Sequence, residues 1–538
     1  MTTIAKLVFD CLRDAGVITV FGVPGDYNFT LYDELETRDD IRMITNRNEL
    51  NAGYAADGYA RVKGAGAILT AFGVGDLSAM NATAGAFSEQ VPIIHIAGSP
   101  DSAAHEEGKL VHHTLMNGDL DVFRRMHENV TVKAVRITED NAAEEIPLAV
   151  QQAVEKRLPV YLDIPQDVAE ATIDLPEPLA GTEQEAINSE WAADAIYKAL
   201  SETDRAVLLV DLLTSRYFLE DAVIAFSRHY QLPTAQSMQA KSAFPESDPH
   251  YIGTYGGQFG EEDVTSFIEK SEVIVTAGLL LSDFNTAKFT AELPEEKRID
   301  LYHDHVVIFG DIIEEAPMIR VLEELMKKEE LAFHQKPLQQ KEKRTFTEDD
   351  PLQTDIYYQL LSEAIASGDV VSVDTGTLSY GMPYVPLSDN VRMIAQGSWQ
   401  SIGYALPAAL GAAAAGRDGH TWCLIGDGAA QLTFQELSTF TAEDLDVTVI
   451  LLNNKGYTVE RKLHPPRPDA SYNDIPEWDY QKLVEGFAPD FKYASVKTAG
   501  DLQKVLQSGE KKRFIELIVE DWTDAPMHLN KLNETLRS

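Results

Sequence analysis

Residues 424–437 read LIGDGAAQLTFQEL: an apolar strand runs into a carboxylate, Asp427, held between Gly426 and Gly428. Taken alone this is a turn, because Gly and Asp favour turns on backbone grounds. The residues that follow sharpen the reading. A helical stretch of about 13 residues and an apolar strand, VTVILL, separate Asp427 from NNKGYTVE, so that Asn454 comes 27 positions later. That distance is one βαβ step, whose right-handed crossover sets the two strand ends side by side. Ligands of open α/β sheets bind beyond those carboxyl ends. An Asp carboxylate, an Asn amide oxygen and a nearby backbone carbonyl are hard oxygen ligands. They suit an octahedral Mg²⁺ that bridges to phosphates. The small Gly428 and Ala429 would let a diphosphate approach the N-terminus of the next helix, where the dipole favours an anion.

Four other short stretches carry acid–base groups: Asp26 in VPGDYN, Glu49 in NRNELNAGYAADGYAR, His112 and His113 in VHHTL, and Glu460 in GYTVER. Each has a plain alternative. Asp26 could cap the helix NFTLYDELE, and Glu49 could be a first-turn glutamate favoured by the helix dipole. The histidine pair could be structural or solvated, and Glu460 an exposed helix residue beside Arg461. Brought together, carboxyls and imidazoles donate and relay protons near neutral pH.

These residues need elements to position them. Short apolar strands alternate with helical stretches along the whole chain, the pattern of parallel sheets covered on both faces. VITVFGVP, AILTAFGVG, VPIIHIAG and LPVYLDIP read as strands of a first unit; AVLLVD and SEVIVTAG belong to a second, and DVVSVDTG, TWCLIGDG, VTVILLNN and RFIELIVE to a third. The polar stretches 171–190 and 326–350 read as linkers. The expected fold is therefore α/β, with three doubly wound parallel-sheet domains at 1–175, 190–328 and 350–538. At 538 residues the chain is too long for one core.

With 86 Asp plus Glu against 45 Lys plus Arg, the net charge of −41 argues against nucleic acid or an anionic membrane as partner. Small anionic substrates remain compatible, since surface charge is screened beyond about 8 Å. Cys11 and Cys423 read as buried free thiols, which suits a reducing, cytoplasmic setting. MTTIAKLVFDCLRDAG reads as an amphipathic helix with acidic residues and not as a targeting peptide. YALPAALGAAAAG is too short and too rich in Ala and Gly to span a bilayer. No GxGxxG follows a strand and no GxxxxGK[ST] occurs, so dinucleotide and nucleoside-triphosphate readings gain no support.

With these motifs in hand, the chain resembles the thiamine diphosphate-dependent 2-oxo acid decarboxylases. GDG followed by NN resembles that superfamily's cofactor motif. FGVPGDYN, NRNELNAGYAADGYAR, FGVGDLSAMNATAGAFSE, VHHTL, NNKGYTVER and YNDIPEWDY extend the likeness over essentially the whole chain. The resemblance implies pyrimidine-binding, central and diphosphate-binding domains. It also implies a cofactor held between two chains, with a homodimer as the smallest active unit and a homotetramer common.

Carried over, it implies that Asp427, Asn454 and the Gly456 carbonyl hold Mg²⁺. Gly426, Gly428, Ala429 and Tyr457 fall at cofactor-contacting positions. Glu49 matches the glutamate that hydrogen-bonds the aminopyrimidine ring, favouring the imino form that removes the thiazolium proton. Asp26, His112, His113 and Glu460 match the acids and bases that protonate the product carbon and face the substrate carboxylate. Ile402 matches the bulky residue that bends the cofactor.

Three positions depart from the family pattern: Gln400 and Pro465 stand where Gly is usual, and Ala429 where Ser is frequent, although the Gln400 carbonyl is still implied to contact the aminopyrimidine. Val459 stands where strict pyruvate enzymes have Ile and resembles the branched-chain and indolepyruvate enzymes. Val459 with Phe284, Thr375 and Ser379 is expected to shape the substrate pocket. The implied reaction is non-oxidative decarboxylation of a 2-oxo acid to an aldehyde, with branched-chain, longer aliphatic or aromatic acids preferred. Other readings stay open: a pyruvate decarboxylase, an acetolactate-type synthase that joins the decarboxylated carbon to a second 2-oxo acid, and a non-catalytic thiamine-binding paralogue.

Overall fold

The computed structural model describes residues 1–174, 176, 186–333 and 343–537. Two six-stranded sheets, one at each end of the chain, share a single strand order. In the first, the strands in chain order are Thr19–Gly22, Arg42–Thr45, Gly66–Ala71, Ile93–Ser99, Lys133–Arg136 and Val160–Pro165. In the last they are Val370–Val373, Arg392–Ala395, Thr421–Gly426, Thr448–Asn453, Lys492–Val496 and Arg513–Ile518. Across each sheet the order is second, first, third, fourth, sixth, fifth, and every pairing is parallel. The order therefore reverses between the first and third strands, which opens a crevice at their carboxyl ends.

The central sheet differs. Its strands Tyr251–Tyr255, Thr234–Ser237, Ala206–Val210, Val273–Ala277 and Arg298–Leu301 are parallel, but Val306–Ile308 and Asp311–Ile313 continue it as an antiparallel edge. Such edges are common on otherwise parallel sheets.

The first and last domains share one core, running from Leu12 and Phe21 to Ile425, Phe434 and Phe514. At its centre the helix Glu49–Lys63 lies against Ala405–Ala414. Their backbones approach so closely that a Cβ at Gly58 would meet the Ala408 carbonyl oxygen at 2.1 Å, and one at Gly411 the Ala55 oxygen at 1.8 Å. Close helix contact is the purpose of the small residues in YALPAALGAAAAG. No helix among the described residues is long and apolar enough to cross a membrane.

Two expectations need correction. Cys423 is fully buried but Cys11 only partly so, although burial and its acidic neighbours still push the Cys11 thiol up to about 12. The helical stretch after Asp427 is broken: Asp427–Thr433 gives way to a 3₁₀ turn at Phe434–Glu436 before Leu437–Ala442. The stretches 171–190 and 326–350 lie partly outside the described residues; within the second, Phe333 is buried in the central core.

Candidate active site

The crevice of the last sheet is lined by Thr375, Ile402, Asp427, Asn454, Gly456 and Glu460, among others. Asp427 opens the helix that leaves the strand Thr421–Gly426 and is 2% exposed. Its Oδ1 accepts from the Gly428 N–H at 2.7 Å and its Oδ2 from the Gly456 N–H at 3.2 Å. Burial pushes this carboxyl up to about 6 against the pull of those amides. Asn454 directly follows the neighbouring strand Thr448–Asn453 and is also buried, so the βαβ step joins the two residues as their spacing requires.

Gly456 is held at φ +130°, and a Cβ there would lie 2.3 Å from the Asn473 carbonyl oxygen. That oxygen accepts from the Tyr457 N–H at 2.9 Å. Arg461 ties Lys455 O and Asp474 Oδ1 together at 3.1 and 3.0 Å. The YNDIPEWDY stretch thus braces the Asn454–Tyr457 loop. A Cβ at Gly428 would collide with the Tyr457 ring at 2.4 Å. Two buried hydroxyls in the crevice, Thr375 Oγ1 and Thr458 Oγ1, have no protein partner. A buried carboxylate, two orphaned hydroxyls and a helix N-terminus beside small residues fit a metal-bound diphosphate.

Gln400 sits at φ 55°, the left-handed region where glycine carries no penalty. Its side chain finds room by folding back, Nε2 donating to the Gly397 carbonyl at 2.8 Å. Ile402, half-buried, lines the crevice and packs on the shared core. Asp374, absent from the sequence reading, directly follows the adjacent strand Val370–Val373, as Asp427 follows Thr421–Gly426. It accepts from the Gly403 and Ala405 N–H groups at 3.0 and 2.7 Å, and burial raises it to about 7. It anchors the 400–405 turn that carries Ile402.

A second group forms at the carboxyl ends of the first sheet. His112 Nε2 and Asp26 Oδ2 are 2.7 Å apart. The capping alternative for Asp26 fails, because the helix Phe29–Glu36 has Asn28 at its N-cap with no side-chain cap bond and Asp26 opens the 3₁₀ turn before it. Tyr27, which sequence reasoning passed over, stacks on His112 with centroids 4.7 Å apart and brings its hydroxyl to 3.2 Å from Nδ1. His113 has φ 60°, which turns its ring to the same side, 4.7 Å from that of His112. Gly73, at φ +69°, lies directly under it: a Cβ there would sit 1.9 Å from the His113 carbonyl oxygen. Glu49 is the first residue of its helix, half-buried, beside Gly75 and the raised Tyr32 hydroxyl.

The substrate residues divide. Phe284 and Val459 meet Tyr380, Leu529 and Leu532 in one apolar cluster, with the Phe284 and Tyr380 rings 5.4 Å apart. Tyr380 also feels the Glu460 charge. Ser379 turns away: its hydroxyl bonds the Gly376 carbonyl and amide and closes its own short helix. Thr375 lines the crevice of the last sheet, which Val459 also lines. Tyr380 and Leu529 of the C-terminal helix belong to the same apolar cluster as Phe284 and Val459. The only sequence signal for Leu529 was amphipathic spacing in a terminal helix.

None of Asp26, Glu49, His112 or His113 lines the crevice that holds Asp427, and Glu460 is exposed at its rim.

With this geometry in place, three matches to known families become informative. Residues 2–122 match the N-terminal TPP binding domain of thiamine pyrophosphate enzymes, 193–329 their central domain and 374–518 their C-terminal TPP binding domain. The chain is 34% identical over 536 residues to a pyruvate decarboxylase of Aspergillus fumigatus, with 96% of this chain and 93% of that one covered. It is 35% identical over 529 residues to an alpha-keto-acid decarboxylase of Mycobacterium avium, with the same coverage. It is 33% identical over 548 residues to pyruvate decarboxylase isozyme 1 of Saccharomyces cerevisiae, covering 98% and 97%. The chain belongs to the thiamine diphosphate-dependent 2-oxo acid decarboxylase family and is a carboxy-lyase.

Proposed function

We propose that this enzyme decarboxylates branched-chain, longer aliphatic or aromatic 2-oxo acids to aldehydes, using thiamine diphosphate and Mg²⁺, in a cytoplasmic homodimer or homotetramer whose sites lie between chains. The observation that carries the substrate reading is the wall of Phe284, Tyr380, Val459 and Leu529, apolar and lacking the extra methylene of an Ile at 459. The dimer reading is supported by the separation of the two residue groups. It is also supported by the exposed Val74, Leu77, Leu115 and Met116 around the first group and Leu432 beside the second, apolar surface of the kind a partner covers.

When bound, the cofactor supplies the carbon nucleophile and electron sink that let CO₂ leave. Asp427, Asn454 and the Gly456 carbonyl would hold the metal, and the amides at the start of Asp427–Thr433 the diphosphate. Glu49 would keep a proton at the pyrimidine nitrogen. Asp26, His112 and His113 would pass a proton to the product carbon, and Tyr27 fixes the His112 ring for that transfer. Glu460 would face the substrate carboxylate, and the partner's surface would exclude water.

Aldehyde production, coupled to alcohol dehydrogenase and NADH, tests the reading with pyruvate, 3-methyl-2-oxobutanoate and phenylpyruvate, with and without cofactor and metal. Cofactor-dependent turnover fastest with the bulkier acids is expected. Fast turnover of pyruvate alone would make the enzyme a pyruvate decarboxylase, and acetolactate in place of aldehyde a synthase. Val459→Ile should lower kcat/KM for 3-methyl-2-oxobutanoate relative to pyruvate by about tenfold, within the range one methylene commands. An unchanged ratio would remove Val459 from the pocket wall.

Asp427 adds a pH signature. Its carboxyl titrates near 6 in the metal-free fold, above its ordinary 3.8. The metal-free fold is therefore favoured below about pH 4 and loses that contribution as pH rises through 6. A divalent cation removes the burden, so the gain in Tm from Mg²⁺ and cofactor should be larger at about pH 7.5 than at about pH 5. Equal gains at both would argue against Asp427 as a ligand.

A further inference from the structure

Glu436 is completely buried, and its carboxyl reaches across from the last domain to the first. Oε1 accepts from Asn46 Nδ2 at 2.8 Å; Oε2 accepts from Asn51 Nδ2 at 2.7 Å and from the Arg47 backbone N–H at 3.2 Å. The three donors bracket Glu49. Between them Asn48 caps the helix by accepting the Asn51 N–H at 2.8 Å, and Asn46 N–H bonds the Gly22 carbonyl. The stretch NRNELN is thus gripped at its start, middle and end. Glu436 can reach it because the helix that begins at Asp427 breaks into a 3₁₀ turn at Phe434–Glu436.

We propose that Glu436 is a positioning residue for Glu49: it fixes the six residues around that carboxyl against the domain that carries the metal ligands, so that Glu49 is set before a second chain or a cofactor arrives. The mechanistic part of this inference rests on the decarboxylase reading, but the clasp itself does not. Burying a carboxyl with only neutral donors is costly unless every donor is placed. Nothing in the fold requires it at this position, since the same helix end could be joined by apolar packing, as Phe434 and Leu437 already are. A misplacement of about 1 Å in such a group costs about a hundredfold in rate.

The grip acts through hydrogen-bond geometry, and two variants isolate that feature. Asn46 Oδ1 has no partner. In Glu436→Gln, rotating the Asn46 amide offers that oxygen to the new Nε2, while the remaining oxygen keeps Arg47 and Asn51. Glu436→Ala removes all three bonds. Expected for Glu436→Ala are a kcat lowered about a hundredfold with KM for the 2-oxo acid within about twofold, and slower exchange of the cofactor's C2 proton for deuterium. Glu436→Gln should restore kcat to within about fivefold of the parent.

Amide hydrogen exchange provides the readout that does not depend on activity. In the Ala variant residues 46–51 should exchange faster while Asp427–Thr433 stay protected. A folded Glu436→Ala protein with parental kcat and unchanged exchange at 46–51 would overturn the proposal. So would a Gln variant as impaired as the Ala one, since charge and not geometry would then be at work. If the parent enzyme decarboxylates no 2-oxo acid, the decarboxylase reading fails, and the exchange data alone still decide whether the clasp exists.

Discussion

Glu49→Gln is expected to lower kcat by 10²–10⁴-fold, about what a positioned proton donor contributes, with Tm and cofactor affinity nearly unchanged. Glu49 is the first residue of Glu49–Lys63, whose cap is supplied by Asn48, so the helix does not depend on the Glu49 side chain for its start. If the carboxylate served only the helix dipole, its removal would cost about 0.3–1 kcal/mol of stability and leave the rate alone. Glutamine keeps the size and one acceptor but cannot exchange a proton near neutral pH. The structure adds a reason for sensitivity: the carboxyl stands against Gly75, whose absent Cβ would come within 3.6 Å of Oε1, in the turn that also supports His113 through Gly73. Steady-state kinetics beside a thermal melt separate the two outcomes, and appreciable turnover by the variant would sink the proton role of Glu49.

How much of this was legible in the sequence depended on burial. The strands read from the sequence are central ones such as Ile93–Ser99 and Thr448–Asn453, buried almost throughout, and they stand out as continuous apolar runs. Those missed are mostly peripheral. Lys133–Arg136 reads KAVR and Lys492–Val496 reads KYASV; both are half-exposed, with charge at the margin, as edge strands tend to be. No local pattern distinguishes them from loop. The helix break at Phe434 escaped for a related reason, since its residues keep helical apolar spacing.

In the candidate site, the residues the sequence singles out are those whose type is unusual for their place: an Asp between glycines, paired histidines, an acid opening a helix. Those missed make ordinary contributions in sequence terms. Tyr27, Tyr380, Leu529 and Glu436 carry no motif or spacing that sets them apart in the sequence. Only tertiary contact gives them a role: Tyr27 meets His112 85 residues away, and Glu436 reaches Asn46 390 residues away. Gln400 is the instructive case. Its departure from glycine was visible, but the positive φ that makes glycine usual there was not.

Mixing two inactive variants should recover activity. Asp427→Ala removes the buried carboxyl proposed to hold Mg²⁺ and is expected to reduce retention of cofactor and Mg²⁺ at least tenfold, since even changes to residues that only support metal ligands cost 10–100-fold. Glu49→Gln leaves the crevice intact. If each site joins the Glu49 group of one chain to the Asp427 crevice of the other, a mixed dimer of the two variants holds one site with both defects and one with neither. Random reassembly of equal amounts makes half of the dimers mixed, so about a quarter of parental activity should return. A site completed within one chain would return nothing, because every chain then carries one lesion. The two-chain outcome is the expected one, because the Glu49 group does not line the crevice that holds Asp427 and apolar residues beside each are exposed. Unmixed variants after the same dissociation and reassembly give the baseline. Recovery above it requires that the active site be assembled from two chains, and its absence in verified mixed dimers would place the whole site in one.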